Sequence, residues 1–438
     1  MLHIQDNEVR KLLLSGNFGL EKEMLRITDD GHFAHTQHPF PEDEQNITRD
    51  FCENQTEINT PIFKSAEAVV ENIGSLTRRI QERLDTLSPH ERLWQYSNPP
   101  YICGEDDIPI ALFHGTGEAK TAYRRHLAQR YGRYMMTLSG IHFNYSFAGD
   151  LLRRNYEVET GVHVVKGEEP DGYRAYCDRM YLHLASQLVS YGWIMVALTA
   201  ASPLMDGSYF EASRAGEDVF CGMSSVRCSE LGYWNEFTPL LDYTDTEHYT
   251  QSIQRYVEEG LIAAPSELYY PIRLKPKGAN SLSALRENGV NHIELRMIDV
   301  NPLCPEGIDL HDVKFAQLLI VWLCAQPPHR LTAVEQMTAV ANFKQAARYD
   351  LHTSGIVGEN GQRMELAAAA ARVLDEMGAF FGRLGANADV EQTLAYQQRK
   401  LQQPEAYRYA DIVRRKYADG LVAQLLADTG QSSVRQYV

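Results

Sequence analysis

The chain has 438 residues, 44% of them hydrophobic and 23% charged, which is globular composition with room for one large core or two. It carries 42 Lys and Arg against 58 Asp and Glu, a formal net charge of −16, and so lacks the dense cationic surface that binding nucleic-acid phosphates requires. The first residues have neither the basic nor the apolar segment of a signal peptide, and the longest apolar stretch, about 193–204, is broken by Thr199, Ser202 and Pro203, so a cytoplasmic protein without a membrane span is expected.

In chain order, alternating residues over 19–28 and 55–60 predict strands. A helix follows over 65–87, with Ala68, Val69, Ile73, Leu76, Ile80 and Leu84 on one stripe. The Gly115–Thr121 segment looks like a phosphate loop but has no Gly before Lys120, and reads as a loop entering a helix. A strand over 140–147, a helix over 173–201 and a strand over 290–300 come next, then helices over 313–325 and 364–384 and a helical tail from about Asp389. Repeats and linkers are absent, and strands do not alternate with helices as βαβ units do. The expected fold is α+β, a mostly antiparallel sheet with helices packed behind it. One domain is expected over 1–438, helical from about 330. The seven cysteines are scattered with no C-x-x-C pair, which suits reduced thiols.

Residues i and i+2 of a strand face the same way. That pairs Glu21 with Glu23, His142 with Asn144, and His292 with Glu294 and Arg296, the last set opposite an apolar face of Ile293, Leu295 and Met297. A solvated sheet face accounts for any one of these strands; three of them with metal- or phosphate-binding groups in the same pattern point to a site. Asp50 and Glu57 have opposite parity, so they share a site only if a loop runs into a strand at about Gln55. Glu21, Glu23, Asp50, Glu57 and Glu294, if they converge, need cations to stay ionised. Hard oxygens plus one imidazole suit Mg²⁺ or Mn²⁺, and such a site takes ATP without a glycine-rich loop. The G-x-S-x-G and H-E-x-x-H signatures of common hydrolases are missing.

Taken together, these segments resemble glutamate–cysteine ligases of the bacterial type and the ligase portion of bifunctional glutathione synthetases. The resembling motifs are Gly19–Glu23 with Leu25-Arg26, Asp50-Phe51 through Glu57 and Thr60-Pro61, and Tyr123-Arg124 through Gly132. They continue with Ser139–Asn144, Val226-Arg227 with Leu231–Tyr233, Tyr270–Arg273, and Ile293–Arg296 with Asp299–Pro302. The resemblance implies a glutamine-synthetase-like funnel of antiparallel strands. It implies metal ligation by Glu21, Glu23, Asp50, Glu57, His142 and Glu294, glutamate binding by Arg227, and a catalytic group of Arg296, Glu294, Glu21 and Glu23. Phe51, Tyr123, Arg124, Met136, Tyr233 and Tyr270 are expected around the acceptor amino acid, and Asn144, Arg273 and Arg296 around ATP. Met135-Met136, expected in a helix facing that pocket, stands where some relatives carry a polar residue.

The activity implied is ATP-dependent ligation of the γ-carboxylate of L-glutamate to the amine of L-cysteine through a γ-glutamyl phosphate, the first step of glutathione synthesis. The partners are then glutamate, a small amino-acid acceptor and ATP, with no nucleic acid, membrane or obligate protein partner. The same chemistry on another small amine, a metal-dependent hydrolase on the same carboxylates, and an inactive binding protein are the alternatives. Intact Glu21, Glu23, His142, Glu294 and Arg296 speak against the last.

Overall fold

A strand whose alternate residues are apolar buries one face and leaves the other for chemistry, and the central sheet follows that rule. The computed structural model describes residues 1–358 and 361–431. The strands are β1 (Gly16–Ile27), β2 (Ile47–Arg49), β3 (Gln55–Asn59), β4 (Arg92–Trp94) and β5 (Gly140–Phe147). β6 (Leu204–Asp206) and β7 (Asp218–Phe220) pair apart from these, followed by β8 (Ile272–Pro276) and β9 (Val290–Asp299). β10 (Gly355–Val357) and β11 (Arg363–Glu365) form another small pair. The main sheet runs β2-β3-β1-β5-β9-β8, with β4 on the far part of β1, and every pairing in it is antiparallel. The α+β class with an antiparallel sheet is therefore the one the sequence predicts.

Leu20, Phe143, Tyr145, Ile293 and Leu295 are buried on the reverse face, under helices Ala66–Leu84, Tyr173–Tyr191 and Trp193–Thr199. Ser65 caps the first of these through the Ala68 N–H, which sets the start of the predicted 65–87 helix. The helix predicted over 173–201 is two, meeting at 57° around Gly192. A β-carbon at Gly192 would lie 2.5 Å from the Leu188 carbonyl oxygen and 2.7 Å from Phe343, so this corner accepts only glycine. Among the described residues no single helix is long and apolar enough to cross a membrane. Met135-Met136 lie in a short 3₁₀ turn, Met135–Thr137, not in the helix expected there. The Gly115 segment is a 3₁₀ turn leading into helix Glu118–Tyr131, as read from the sequence.

Helix Leu310–Cys324 is almost wholly buried and, from Leu318 on, apolar on every side, so it takes neighbours all round, among them helix Ala388–Gln402. Lys400 joins the two. Its ammonium donates to Asp312 Oδ1 at 2.6 Å and to the Leu198 carbonyl at 2.8 Å, and neither charged side chain reaches solvent. Removing one partner of such a pair leaves a buried charge unmatched. Lys400→Met is expected to lower unfolding stability by about 3–5 kcal/mol in urea titrations. The double variant Lys400→Met with Asp312→Leu is expected to recover most of that loss.

Candidate active site

Strand register puts the chemical groups side by side. Glu23 stands opposite Glu57 on β3, and Glu21 opposite His142 on β5. Asn144 faces Glu294 on β9, which in turn faces Arg273 on β8, and Lys275 faces His292. Directly opposed residues share a sheet face, so five strands present one continuous polar surface. Asp50 arrives from the turn between β2 and β3, where its N–H donates to the Gln55 carbonyl at 3.1 Å. The parity conflict between Asp50 and Glu57 is resolved by that turn. Arg124 braces it, donating from Nε to the Asp50 carbonyl oxygen, with its guanidinium 3.9 Å from Asp50 Oδ1 and stacked on Phe113.

His142 is the hub of this face. Nδ1 lies 2.9 Å from Glu21 Oε2 and 3.5 Å from Glu294 Oε1, while Nε2 lies 3.8 Å from Glu23 Oε1 and 3.4 Å from Arg227 Nη2. Donor atoms of Glu21, His142 and Glu294 all fall within 4.8 Å of one another, a spacing and donor set that could hold a divalent cation. Arg296 donates to Glu294 Oε1 at 3.1 Å, and Lys275 Nζ lies 3.4 Å from Oε2. Arg227 donates to the Arg296 carbonyl at 2.6 Å, and its buried Nε has no partner. Gly140 makes room for that guanidinium: a β-carbon there would lie 2.3 Å from Arg227 Cζ. The Gly140 N–H also donates to Glu23 Oε2 at 2.8 Å.

Two electrical environments meet at His142. On the β9 side, burial alone would raise the Glu294 carboxyl, but Arg296 and Lys275 outweigh it and hold the group at about 2. On the β1–β3 side nothing comparable compensates. Burial and the nearby Asp50 charge push Glu23 up to about 7, and burial with Asp50, Glu21 and Glu23 pushes Glu57 well above its ordinary value. Burial, then Arg296, drives His142 well below the usual imidazole range, so it is neutral and free to act as a nitrogen ligand. The surplus of negative charge sits around Glu21, Glu23, Asp50 and Glu57, and there a cation is most favoured.

A cavity of about 270 Å³ opens over this face. Glu21, Glu23, Asp50, Glu57, His142, Arg227, Arg273, Glu294 and Arg296 line it, as do Phe51, Tyr123, Arg124, Met136, Tyr233 and Tyr270. Asn144, expected near ATP, lies outside the lining; its amide nitrogen donates to Glu21 Oε1 at 3.0 Å and its buried Oδ1 has no partner. Arg273 donates to the carbonyls of Ser266 and Leu268 at 2.9 and 2.7 Å, so it also fixes a loop. Burial and Arg296 lower it to about 10, which leaves it charged. Phe51 and Tyr270, which also line the cavity, are buried within the hydrophobic clusters around it.

Sequence reading missed Tyr269 and Lys275. The Tyr269 and Tyr233 hydroxyls lie 3.9 and 4.0 Å from Met136 Sδ, and their rings meet edge-on at 5.5 Å, forming an aromatic wall with one sulfur in it. Tyr269 follows a 3₁₀ turn, where no strand alternation gives its direction away. Lys275 is two residues from Arg273 on β8, a strand that the sequence reading did not recognise; the i, i+2 rule would have found it.

Comparison with known proteins agrees with this geometry. A profile of the glutamate–cysteine ligase family matches residues 1–261 and 238–346. The chain is 33% identical over 430 residues to the glutathione biosynthesis bifunctional protein of Listeria innocua, covering 95% of this chain and 54% of that one. It is 32% identical over 398 residues to a glutamate–cysteine ligase of Clostridium acetobutylicum, covering 79% of each. The chain thus spans about half the length of the bifunctional relatives it matches. Of solved structures, a bifunctional glutathione synthetase from Pasteurella multocida superposes with a TM-score of 0.82 at 24% identity, over 99% of this chain and 54% of that one. A Francisella tularensis glutamate–cysteine ligase, solved with AMP, gives 0.82 at 22% identity over 96% and 88%. These two likenesses concern the fold. The profile match and the level of identity, on a chain whose motifs converge on one sheet face, show that it belongs to the glutamate–cysteine ligase family.

Proposed function

We propose that this protein ligates the γ-carboxylate of L-glutamate to the amine of L-cysteine with ATP, through a γ-glutamyl phosphate, as the first step of glutathione synthesis. The observation that carries the reading is a buried face on which five carboxylates, one neutral imidazole and the cations Arg227, Arg296 and Lys275 share one cavity, in a chain of this family. Its whole length acts as one catalytic domain, with helices Ala333–Ala346, Leu366–Arg383 and Ala388–Gln402 packed on the helical layer behind the sheet. Seven unpaired thiols suit the reducing cytoplasm as its location.

A carboxylate needs a better leaving group before an amine can displace it, and phosphorylation by ATP supplies one. Arg227, buried with an unpartnered Nε, suits the α-carboxylate of glutamate. Arg296, held by Glu294, carries a guanidinium beside the phosphoryl group in transfer, and Lys275 adds a second cation at the same carboxylate. Glu21, Glu23, Asp50, Glu57, His142 and Glu294 fit Mg²⁺, or Mn²⁺ in its place, because Glu23 and Glu57 are too crowded to ionise freely without a cation. Bound there, Mg²⁺ supplies neutralisation of the nucleotide's phosphate charge. The acceptor lies against Tyr233, Tyr269 and Met136, a wall that suits a small uncharged side chain such as a thiol.

The charge argument has a sign that can be measured. Glu23 folds with a carboxyl pKa of about 7 against an ordinary 4.5, so it binds its proton more tightly in the folded state. That adds stability below about pH 4.5, which is lost as pH rises through about 7. In scanning fluorimetry, Glu23→Gln is expected to flatten the fall in midpoint between about pH 5 and pH 8, and Mg²⁺ to raise the parent's midpoint more at pH 8. Both Glu21→Gln and Glu294→Gln are expected to abolish turnover. Glu294→Gln should also lower stability, because Arg296 and Lys275 lose their buried partner; near-normal ADP release in either variant would remove that residue from the proposed metal site.

For the chemistry, ¹⁸O in the glutamate side-chain carboxylate is expected to appear in released phosphate. Amide formation without that transfer would exclude the acyl phosphate. ADP release that needs only water, and neither amino acid, would instead identify a hydrolase.

The acceptor is tested by a panel of twenty amino acids with glutamate and ATP. A pocket of this kind separates side chains that differ by one methylene by only ~1–3 kcal/mol. Cysteine is expected first, 2-aminobutyrate and similar small apolar amino acids measurably poorer, and charged acceptors inactive. Met136→Gln is expected to move the ranking towards polar side chains without changing the KM for glutamate.

A further inference from the structure

Behind the acceptor wall, helix Glu118–Tyr131 meets the segment 265–269 that carries Tyr269, and a carboxylate that does not itself line the cavity joins them. Glu267 is completely buried. Its Oε1 accepts from the Tyr131 hydroxyl at 2.7 Å and lies 3.2 Å from Arg130 Nε, both at the end of that helix. Its Oε2 accepts from the Ala263 N–H at 2.7 Å and lies 3.6 Å from His126 Nε2. The Asn235 side chain completes the join, donating to the Glu267 carbonyl at 2.9 Å and accepting from the Tyr269 N–H at 2.8 Å. From here the contacts run towards the cavity. Tyr131 packs edge-on against Tyr269 with centroids 5.4 Å apart, and Tyr269 against Tyr233 at 5.5 Å; both of these reach Met136. A second tie, Ser266 Oγ to the Tyr123 hydroxyl at 3.0 Å, fastens the same two pieces at the mouth.

The geometry points to Glu267 as a positioning residue for acceptor specificity: through Tyr131 and Asn235 it fixes where Tyr269 and Tyr233 stand, and so the size of the acceptor pocket. This rests on the ligase reading above. The carboxylate is a suitable group for the task, because it accepts from a phenol and a main-chain N–H and pairs with a guanidinium at the same oxygen as the phenol. Burial, and then Glu267 itself, push the Tyr131 phenol up to about 12, so it remains a donor at working pH. None of these groups belongs to the carboxylate cluster, and Arg273 holds the same segment separately, through the Ser266 and Leu268 carbonyls, so loosening the clasp should act on the acceptor first.

Steady-state ADP release tests this with Glu267→Gln and the milder Tyr131→Phe, which keeps the ring and removes one hydrogen bond. Each is expected to raise the KM for cysteine by about tenfold or more, the scale of a lost hydrogen bond to a charged group. The KM values for glutamate and ATP should stay within about twofold, and the preference for cysteine over 2-aminobutyrate should shrink towards none. Glu267→Asp is expected to recover part of that preference. The inference is overturned if the three KM values rise together, or if the midpoint drops while the KM for cysteine and the preference are unchanged. A parent enzyme with no amine-dependent ADP release overturns the ligase reading along with it, so the two failures are told apart before any variant is made.

Discussion

Like charges fixed on a rigid sheet repel one another, and much of the surrounding structure answers to that repulsion. Register alone places Glu21, Glu23, Glu57 and Glu294 on one face, and the Asp50 turn adds a fifth carboxylate. On the β9 side the protein supplies its own cations, and Glu294 stays ionised. On the β1–β3 side the carboxyls of Glu23 and Glu57 are pushed upward instead. A cation is therefore favoured most in that half of the cavity, where two carboxyls are too crowded to ionise freely.

The reverse of β1 carries a counterpart. Lys22, between Glu21 and Glu23 in sequence, points into the core, fully buried. It donates to Gln95 Oε1 at 2.8 Å, the Glu306 carbonyl at 2.9 Å and Thr77 Oγ1 at 3.2 Å, three acceptors from three separate elements of the chain. Gly307 stands beside it with φ 81°, and a β-carbon there would lie 2.8 Å from Lys22 Cε. Burial lowers the ammonium to about 7, so its three hydrogen bonds, and not Coulomb attraction alone, keep it in place. By anchoring the residue between them, this clamp fixes the pleat that aims both glutamates at the cavity.

Strand alternation made much of this readable from sequence. Leu20, Phe143 and Ile293 had to face a core, which turned Glu21, His142 and Glu294 the other way, and the opposite parity of Asp50 and Glu57 demanded the turn that is found. What stayed hidden depends on contacts between distant segments. Nothing local in Asn144 shows that its amide nitrogen donates to Glu21, and nothing local in Gly140 shows that Arg227, 87 positions later in the sequence, occupies the space its side chain would fill. The corner at Gly192 was equally out of reach, because Phe343 closes it from another helix. Tyr269 and Tyr270 show the limit most clearly: adjacent tyrosines beyond a 3₁₀ turn, one in the wall and one in the core. With no period to follow, sequence gave no reason to prefer the first.

The contrast between the two sides of the cavity also bears on how a small, weakly discriminating pocket can serve a demanding reaction. The charged face is held by sheet register, by Lys22 beneath it and by ion pairs within it, so its geometry is set by many elements at once. The aromatic wall opposite, Tyr233, Tyr269 and Met136, is backed by a helix end and a short turn that meet through a few polar contacts around one buried carboxylate. Displacement costs least where the fewest elements constrain a group, so under the proposed reaction variation in the wall would act on the acceptor and leave the charged face as it is. A chain built this way can keep one chemistry and alter its amine, because the two functions rest on separate supports.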